Sequence, residues 1–367
     1  MQNPLVALGA LGQSPWYDYI TRDLVQGGTL ARLIADDGLL GMTSNPTIFE
    51  KAVAGSTLYD EDIRRLAAAG HAPQAIFEAL AVADVQAACD CFRGVYEMTR
   101  GVDGLVSLEV SPTLAHDTEG TIAEARRLWA AVNRPNAMIK IPGTQEGLPA
   151  VTRCLAEGIN VNVTLLFSVE RYRQVIEAFL HGLEARASVG GALDHVASVA
   201  SFFVSRLDGK VDAWLDAHGG PTALRGTAAI ANACEAYAVF QAAFRGPRWD
   251  ALAAKGARVQ RPLWASTSTK DPAYPDTYYV EALIGPHTIN TLPPTTFAAY
   301  RDHGSPAVRI HAGVEQAPKQ LRALEDAGVD LASVTETLEV EGVASFATSY
   351  ADLLAGIAAK AKALGAA

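Results

Sequence analysis

Short apolar runs alternate with longer amphipathic stretches along almost the whole chain. Strand-like runs occupy residues 39–43, 105–110, 137–141, 161–167, 196–203, 261–265 and 287–292, and Trp16-Tyr17-Asp18 is placed early enough to belong to a first strand. Several runs are apolar on both faces, as a strand covered on two sides must be. Helical spacing fills residues 58–69, 75–99, 121–132, 169–188, 227–244 and 350–364. The first two form a long helical connection between the second and third strands. Alternating strand and helix predicts an α/β fold with a parallel sheet. About eight such units favour a closed (β/α)8 TIM barrel over an open sheet, with helical insertions and C-terminal helices, although periodicity alone does not separate the two closures. No internal repeat stands out, and Gly219-Gly220-Pro221 reads as a loop, so residues 1–367 are expected to form one domain.

Composition narrows the function classes. The chain has 367 residues, 49% hydrophobic and only 19% charged, which is a globular balance. Its formal net charge of −10 argues against nucleic acid as a partner, since that needs a basic face. A small anion is still admissible, because a few cations in a cleft outweigh a global charge. Cys89, Cys91, Cys154 and Cys234 lack zinc-finger spacing with any histidine and read as buried free thiols of a reducing compartment. Met1-Gln2-Asn3-Pro4 has no basic flank of a signal peptide, and the strand-like runs are far shorter than the roughly 20 residues of a membrane span. A cytoplasmic protein that does not engage a membrane is expected, as monomer or homodimer.

The residue out of place is Lys140. Within Met138-Ile139-Lys140-Ile141-Pro142, the two isoleucines point to one face and the lysine projects alone from the other. Lysine is rarely fully buried, and desolvation pulls its pKa down from ~10.4 toward the neutral amine that attacks a carbonyl. A buried pair with a carboxylate, or an amine reaching out to water, would also account for it. Other strands carry similar isolated polar groups: Glu109 lies near the C-terminal end of an apolar run, Asn162 and Thr164 share one face, Asn45 precedes Pro46 at a strand-to-helix turn, and Asp18 closes the first candidate strand. Singly, each is commonly a cap or a satisfied core hydrogen bond. Together they sit at successive strand ends, which converge on one mouth in a barrel.

Two stretches suit an anion. Ser201 and Arg206 flank an apolar strand end and the start of a helix, where free N–H groups and a guanidinium bind phosphate. Ser266 and Ser268 lie in a second hydroxyl-rich turn that either completes that site or caps a helix, while Thr267 and Thr269 read as solvated loop. No P-loop or dinucleotide fingerprint accompanies them, so no nucleotide cofactor is expected and the phosphate would belong to a substrate.

The segments Gly41-Met42-Thr43-Ser44-Asn45-Pro46-Thr47-Ile48-Phe49-Glu50-Lys51, Ser107-Leu108-Glu109-Val110-Ser111-Pro112 and Ile139-Lys140-Ile141-Pro142-Gly143-Thr144 resemble transaldolase signatures, as do residues 158–168, 201–206 and 281–294. The likeness is to the longer bacterial branch, which is also found fused to phosphoglucose isomerase. It implies a class I aldolase barrel that needs no cofactor or metal. The implied reaction belongs to the pentose phosphate pathway: a dihydroxyacetone unit moves from sedoheptulose 7-phosphate to glyceraldehyde 3-phosphate, giving erythrose 4-phosphate and fructose 6-phosphate. By position, Lys140 matches the Schiff-base lysine, Glu109 and Thr164 the pair that holds a catalytic water, and Asp18 the acid/base of carbon–carbon cleavage. Asn45 and Asn162 match groups that bind the dihydroxyacetone unit, and Ser201 and Arg206 match the phosphate site. Where better-known members have a second arginine, this chain has Ser266, Ser268 and Lys270, and Lys270 is the candidate replacement cation. The near alternative is a lyase like fructose 6-phosphate aldolase. A metal-dependent barrel hydrolase is disfavoured by eight scattered histidines, and a non-catalytic sugar-phosphate binder is a third alternative, which turnover separates.

Overall fold

The computed structural model describes residues 3–365. Eight parallel strands close into a barrel in sequence order: β1 (Gln13–Asp18), β2 (Gly41–Thr43), β3 (Leu105–Glu109), β4 (Ala137–Pro142), β5 (Val161–Leu166), β6 (Ser198–Phe203), β7 (Arg261–Ala265) and β8 (Thr288–Leu292). Closure comes from β1 pairing with β8, with Gln13 opposite Thr288 and Tyr17 opposite Leu292. This is the (β/α)8 TIM barrel that the alternation implied. Side chains facing outward from the strands, among them Ile139, Ile141, Val161 and Val163, are wholly buried beneath the surrounding helices.

Two helical readings need correction. The stretch read as one helix over 75–99 is two helices, Pro73–Cys91 and Arg93–Met98, separated at Phe92 by φ −83° and ψ −1°. Cys89 faces inward there, but Cys91 is exposed, so the expectation of four buried thiols fails at that position. At the C-terminus, the helix read over 350–364 runs from Leu331 to Ala363, 33 residues, or about 50 Å. Its buried row is Thr335, Leu338, Gly342, Phe346, Tyr350, Leu353, Ile357 and Ala361. The spacing of three and four residues is helical throughout, but Thr335 and Gly342 interrupt its apolar character and hid the first half from a hydrophobicity reading.

That helix is long and apolar enough to cross a membrane by composition, contrary to the expectation of short apolar runs only. In the fold it lies along the barrel mouth against the helices Pro46–Ala54, Asp60–Ala68, Pro73–Cys91 and Ser205–His218. A Cβ at Gly342 would stand 3.1 Å from Leu165 Cδ2, so the glycine lets helix and barrel approach closely. Hydrogen bonds from Lys360 Nζ to the Ser56 carbonyl (2.6 Å) and between Thr47 and Ser349 hydroxyls (2.7 Å) fasten it.

The end of the barrel where the strands begin is closed by a satisfied polar plug. Asp103, just before β3, accepts hydrogen bonds from Arg261 Nη2 (2.8 Å) and Ser14 Oγ (2.9 Å), and Arg261 Nη1 donates to Ser14 Oγ (2.8 Å). Removing one partner of such a buried pair strands the other charge. Asp103→Ala should therefore lower the free energy of unfolding by about 3–5 kcal/mol, read from urea denaturation; a loss below about 1 kcal/mol would mean that the pair behaves as a surface pair.

Candidate active site

Strand register does the assembling. Glu109 of β3 lies opposite Lys140 of β4, Lys140 lies opposite Asn162 of β5, and Pro142 lies opposite Thr164. Residues paired across neighbouring strands share a face, so the lysine, the carboxylate and the amide all point into the barrel. Beyond Val163 the β5–β6 register shifts, and Leu165 takes φ +61°, a rare conformation for a branched side chain. The bulge falls directly after Thr164, and such irregularities re-aim neighbouring side chains.

Lys140 is 4% exposed, and its ammonium nitrogen lies 3.1 Å from Glu109 Oε2. Its directed hydrogen bond goes to the Ser44 carbonyl at 3.0 Å. Both Glu109 oxygens and the Thr164 hydroxyl are buried without an aligned hydrogen-bond partner. Buried polar atoms are normally satisfied, so a carboxylate whose only neighbour is the Lys140 ammonium, together with an unpartnered Thr164 hydroxyl on the cavity that Lys140 lines, marks a chemical site. Burial pushes the Glu109 carboxyl above the ordinary carboxylate range, while the Lys140 charge draws it back down and Asp18 adds to the rise.

The cavity over Lys140 measures about 360 Å³. Asp18, Asn45, Thr164, Ser201, Arg206, Ser266 and Ser268 line it, together with Lys140. Asp18 is partly exposed to this cavity, and desolvation raises its carboxyl pKa against the opposing pull of Lys140 and of the Thr43 hydroxyl. Thr43 donates to Asp18 Oδ1 at 2.7 Å, which leaves the Thr291 hydroxyl, 2.6 Å away, as donor to Thr43. Asn45 caps the helix Pro46–Ala54 by accepting from the Ile48 N–H (3.0 Å). The cap uses its oxygen.

Glu109 and Asn162 stand behind the cavity wall. Glu109 lines a separate space of about 20 Å³, room for one water, along with Ser44, Asn45, Ser111, Glu124 and Tyr350. Asn162 is fully buried, with its amide N–H donating to Ser107 Oγ (3.0 Å) and its oxygen accepting from Ser201 Oγ (2.7 Å). Ser201 thus spends its hydroxyl proton inside the barrel, although it was grouped with Arg206 from the sequence.

Around the mouth, Arg206 opens the helix Ser205–His218 with its guanidinium 5.3 Å from the centre of the Phe203 ring. Burial lowers its pKa, against a smaller opposing effect of Glu341. Lys270 donates to Ser268 Oγ (2.8 Å), and Ser205 and Ser266 hydroxyls are 3.1 Å apart. Among the described residues, Arg206, Lys270 and Lys51 have no carboxylate within ion-pair distance, and all three line the cavity. Thr267, read from the sequence as solvated loop, is instead fully buried and donates to Asn290 Oδ1 (2.8 Å).

The sequence reading gave no role to Lys51, Thr43, Thr291 or Phe346. Lys51 stands at the end of a quoted motif, and the register of Thr43 with Asp18 was recoverable from strand alternation. Phe346 had no local signal: it comes from the long C-terminal helix to lie with its ring centre 5.9 Å from Lys140 Nζ.

The model of the family described as transaldolase/fructose-6-phosphate aldolase matches residues 15–357. The chain belongs to that family. A transaldolase of Frankia alni is 53% identical over 363 residues, covering 98% of this chain and 97% of the relative. A transaldolase of Acidothermus cellulolyticus is 53% identical over 361 residues, covering 97% and 96%, and a protein named transaldolase 2 from a Nostoc species is 46% identical over 375 residues, covering 99% and 98%. The likeness thus spans all eight strands and the C-terminal helix that carries Phe346.

The raised Asp18 carboxyl has a stability consequence. A carboxyl that binds its proton more tightly when folded makes the folded state take up protons, so stability falls as pH rises from the unfolded value, 3.8, through the folded one. Asp18→Asn removes that loss. The variant should melt higher than the parent at pH 7, and the difference should shrink toward pH 4; equal melting curves at pH 7 would contradict the assignment.

Proposed function

We propose that the chain is a transaldolase of the pentose phosphate pathway that transfers a dihydroxyacetone unit from sedoheptulose 7-phosphate to glyceraldehyde 3-phosphate through a Schiff base on Lys140. The observation that carries this reading is a buried lysine within 3.1 Å of a carboxylate whose oxygens are otherwise unsatisfied, opening onto a cavity edged by unpaired cations. The chain and its relatives named transaldolase match from end to end.

The first step needs an uncharged amine. Glu109, whose proton affinity burial has raised, takes the proton from Lys140 at close range, and the free amine attacks the ketose carbonyl. Glu109 and the Thr164 hydroxyl can then share a water, which passes protons to the departing carbinolamine oxygen as water is lost and the imine forms. The protonated imine draws electrons from the adjacent carbon–carbon bond. Asp18 accepts the proton of the neighbouring hydroxyl as that bond breaks and the aldose phosphate leaves. Such acid–base help contributes on the order of 10² to 10⁴ in rate. The enamine then attacks the aldehyde of the acceptor, Asp18 returns the proton, and hydrolysis frees Lys140. Phe346 and the helix over the mouth shield the enamine from water, which favours transfer over simple release.

The phosphate group fits the mouth, where Arg206 and Lys270 face the cavity with the Ser266 and Ser268 hydroxyls. Arg206→Met should raise KM for sugar phosphates by about 10- to 100-fold, the worth of a charge-assisted hydrogen bond, with a smaller change in kcat. A KM within twofold of the parent would remove Arg206 from this role.

Lys140→Met should fold and lose activity to background. Borohydride with fructose 6-phosphate should add a single three-carbon label to Lys140 in the parent chain, and activity in the methionine variant would end the Schiff-base proposal. Release of free dihydroxyacetone at the same rate with and without acceptor aldehyde would assign the chain to the lyase side of its family.

A further inference from the structure

We propose that Arg22 is a positioning residue for the Asp18 carboxylate, a role that rests on the part given to Asp18 in the proposed reaction, and that the long helical connection between β2 and β3 is the frame to which Arg22 is tied. Asp18 is the last residue of β1. Tyr17 still pairs with β8 and Asp18 with Thr43 of β2, and the chain then leaves the sheet. β2 itself has only three residues, so the sheet joins Asp18 to the strands of Glu109 and Lys140 through a narrow bridge. A reacting group displaced by about 1 Å can lose on the order of 10²-fold in rate, so a second tie has a use.

Arg22 supplies that tie, four residues past Asp18. Its guanidinium and Asp84 are both buried, with Nε donating to Asp84 Oδ1 (3.1 Å). Nη1 donates to Asp62 Oδ2 (2.7 Å) and to the Leu58 carbonyl (3.1 Å). The Tyr59 hydroxyl closes the cluster: it accepts from the Arg22 backbone N–H (3.0 Å) and donates to Asp84 Oδ2 (2.9 Å). The ring centre of Tyr59 lies 4.5 Å from the guanidinium carbon. Main chain and side chain of Arg22 are thus both fixed, and only Tyr19, Ile20 and Thr21 separate it from Asp18. Ile20 is wholly buried, and Tyr19 lines the cavity over Lys140.

The far side of the cluster is anchored in turn. Asp84 belongs to the helix Pro73–Cys91, which packs against β3 and β4, the strands of Glu109 and Lys140. Lys360 of the C-terminal helix donates to Asp60 Oδ1 (2.8 Å) as well as to the Ser56 carbonyl, which holds the segment around Leu58 and Asp62. Arg22 therefore refers the end of β1 to the strands that carry the amine and its carboxylate. A buried ion cluster adds little stability over apolar side chains of the same volume. What a planar guanidinium held by two carboxylates adds is direction.

Stepwise kinetics separate positioning from loss of stability, because imine formation on Lys140 does not use Asp18. Dihydroxyacetone with borohydride reads that step, since reduction of the C=N bond leaves a stable secondary amine, and erythrose 4-phosphate release reads the whole transfer. The variants are Asp84→Asn and Tyr59→Phe; the second removes one hydroxyl, keeps the ring, and serves alone if the first fails to fold. In each, kcat for transfer should fall by about 10- to 100-fold while the trapping rate stays within about twofold of the parent. Adding either substitution to Asp18→Asn should cost nothing further, because the group being positioned is gone. Unchanged transfer, transfer and trapping falling together, or losses that multiply with that of Asp18→Asn would each overturn the role of Arg22 and leave the Schiff-base proposal standing. A parent chain that never traps dihydroxyacetone would overturn the Schiff-base proposal, and the positioning role with it.

Discussion

The structure is organised around a lysine and a glutamate held together out of water. Removing two charges from solvent costs several kcal/mol each before any attraction is recovered. Lys140 and Glu109 meet that cost by facing each other at 3.1 Å across adjacent strands and by sending the ammonium's hydrogen bond to the Ser44 carbonyl. Such a pair needs a rigid surround that excludes water and fixes two backbone positions. A closed parallel barrel provides both, because register with two neighbours constrains every strand.

The two ends of the barrel hold different sets of polar groups. Where the strands begin, Asp103, Ser14 and Arg261 satisfy one another and tie β1 and β7 to the segment before β3. Where they finish, Glu109 and Thr164 are left with unsatisfied oxygens. Satisfied networks rigidify a core, and unsatisfied atoms are available to a reactant. Between them, Ser107, Asn162 and Ser201 form a hydrogen-bonded layer that sets the floor beneath the cavity.

The mouth is held by a different set of contacts. The segment between β7 and β8 carries Lys270, and the helix Ser205–His218 carries Arg206. Tyr274 donates to Asp212 (2.6 Å), Tyr279 to Asp208 (2.9 Å), and Arg225 Nη2 bonds Asp271 (2.8 Å). Asp208 and Asp212 lie one turn apart on the helix Ser205–His218, which carries Arg206 in its first turn, so the same helix positions one cation and anchors the segment bearing the other. Burial raises the Asp208 carboxyl to about 6, despite hydrogen bonds from Ala229 N–H and Tyr279 that favour its ionised form.

Much of this was legible along the chain. A lysine between isoleucines, a glutamate closing an apolar run and polar residues alternating with valines each declare an inward face by local pattern, because strand periodicity depends only on near neighbours. Eight repeats of that pattern implied the barrel, and the motif likeness implied the chemistry. The tertiary structure alone decided which polar atoms are spent: Asn162 and Ser201 bond each other, Asn45 gives its oxygen to a helix cap, and Thr267 is buried against Asn290. It alone brought Lys51 and Phe346 to the cavity, the latter from 206 positions beyond Lys140 in the chain. Periodicity reports the direction of a side chain relative to its own element. What that side chain meets depends on partners brought close only by closure of the barrel and by the long helix laid across its mouth.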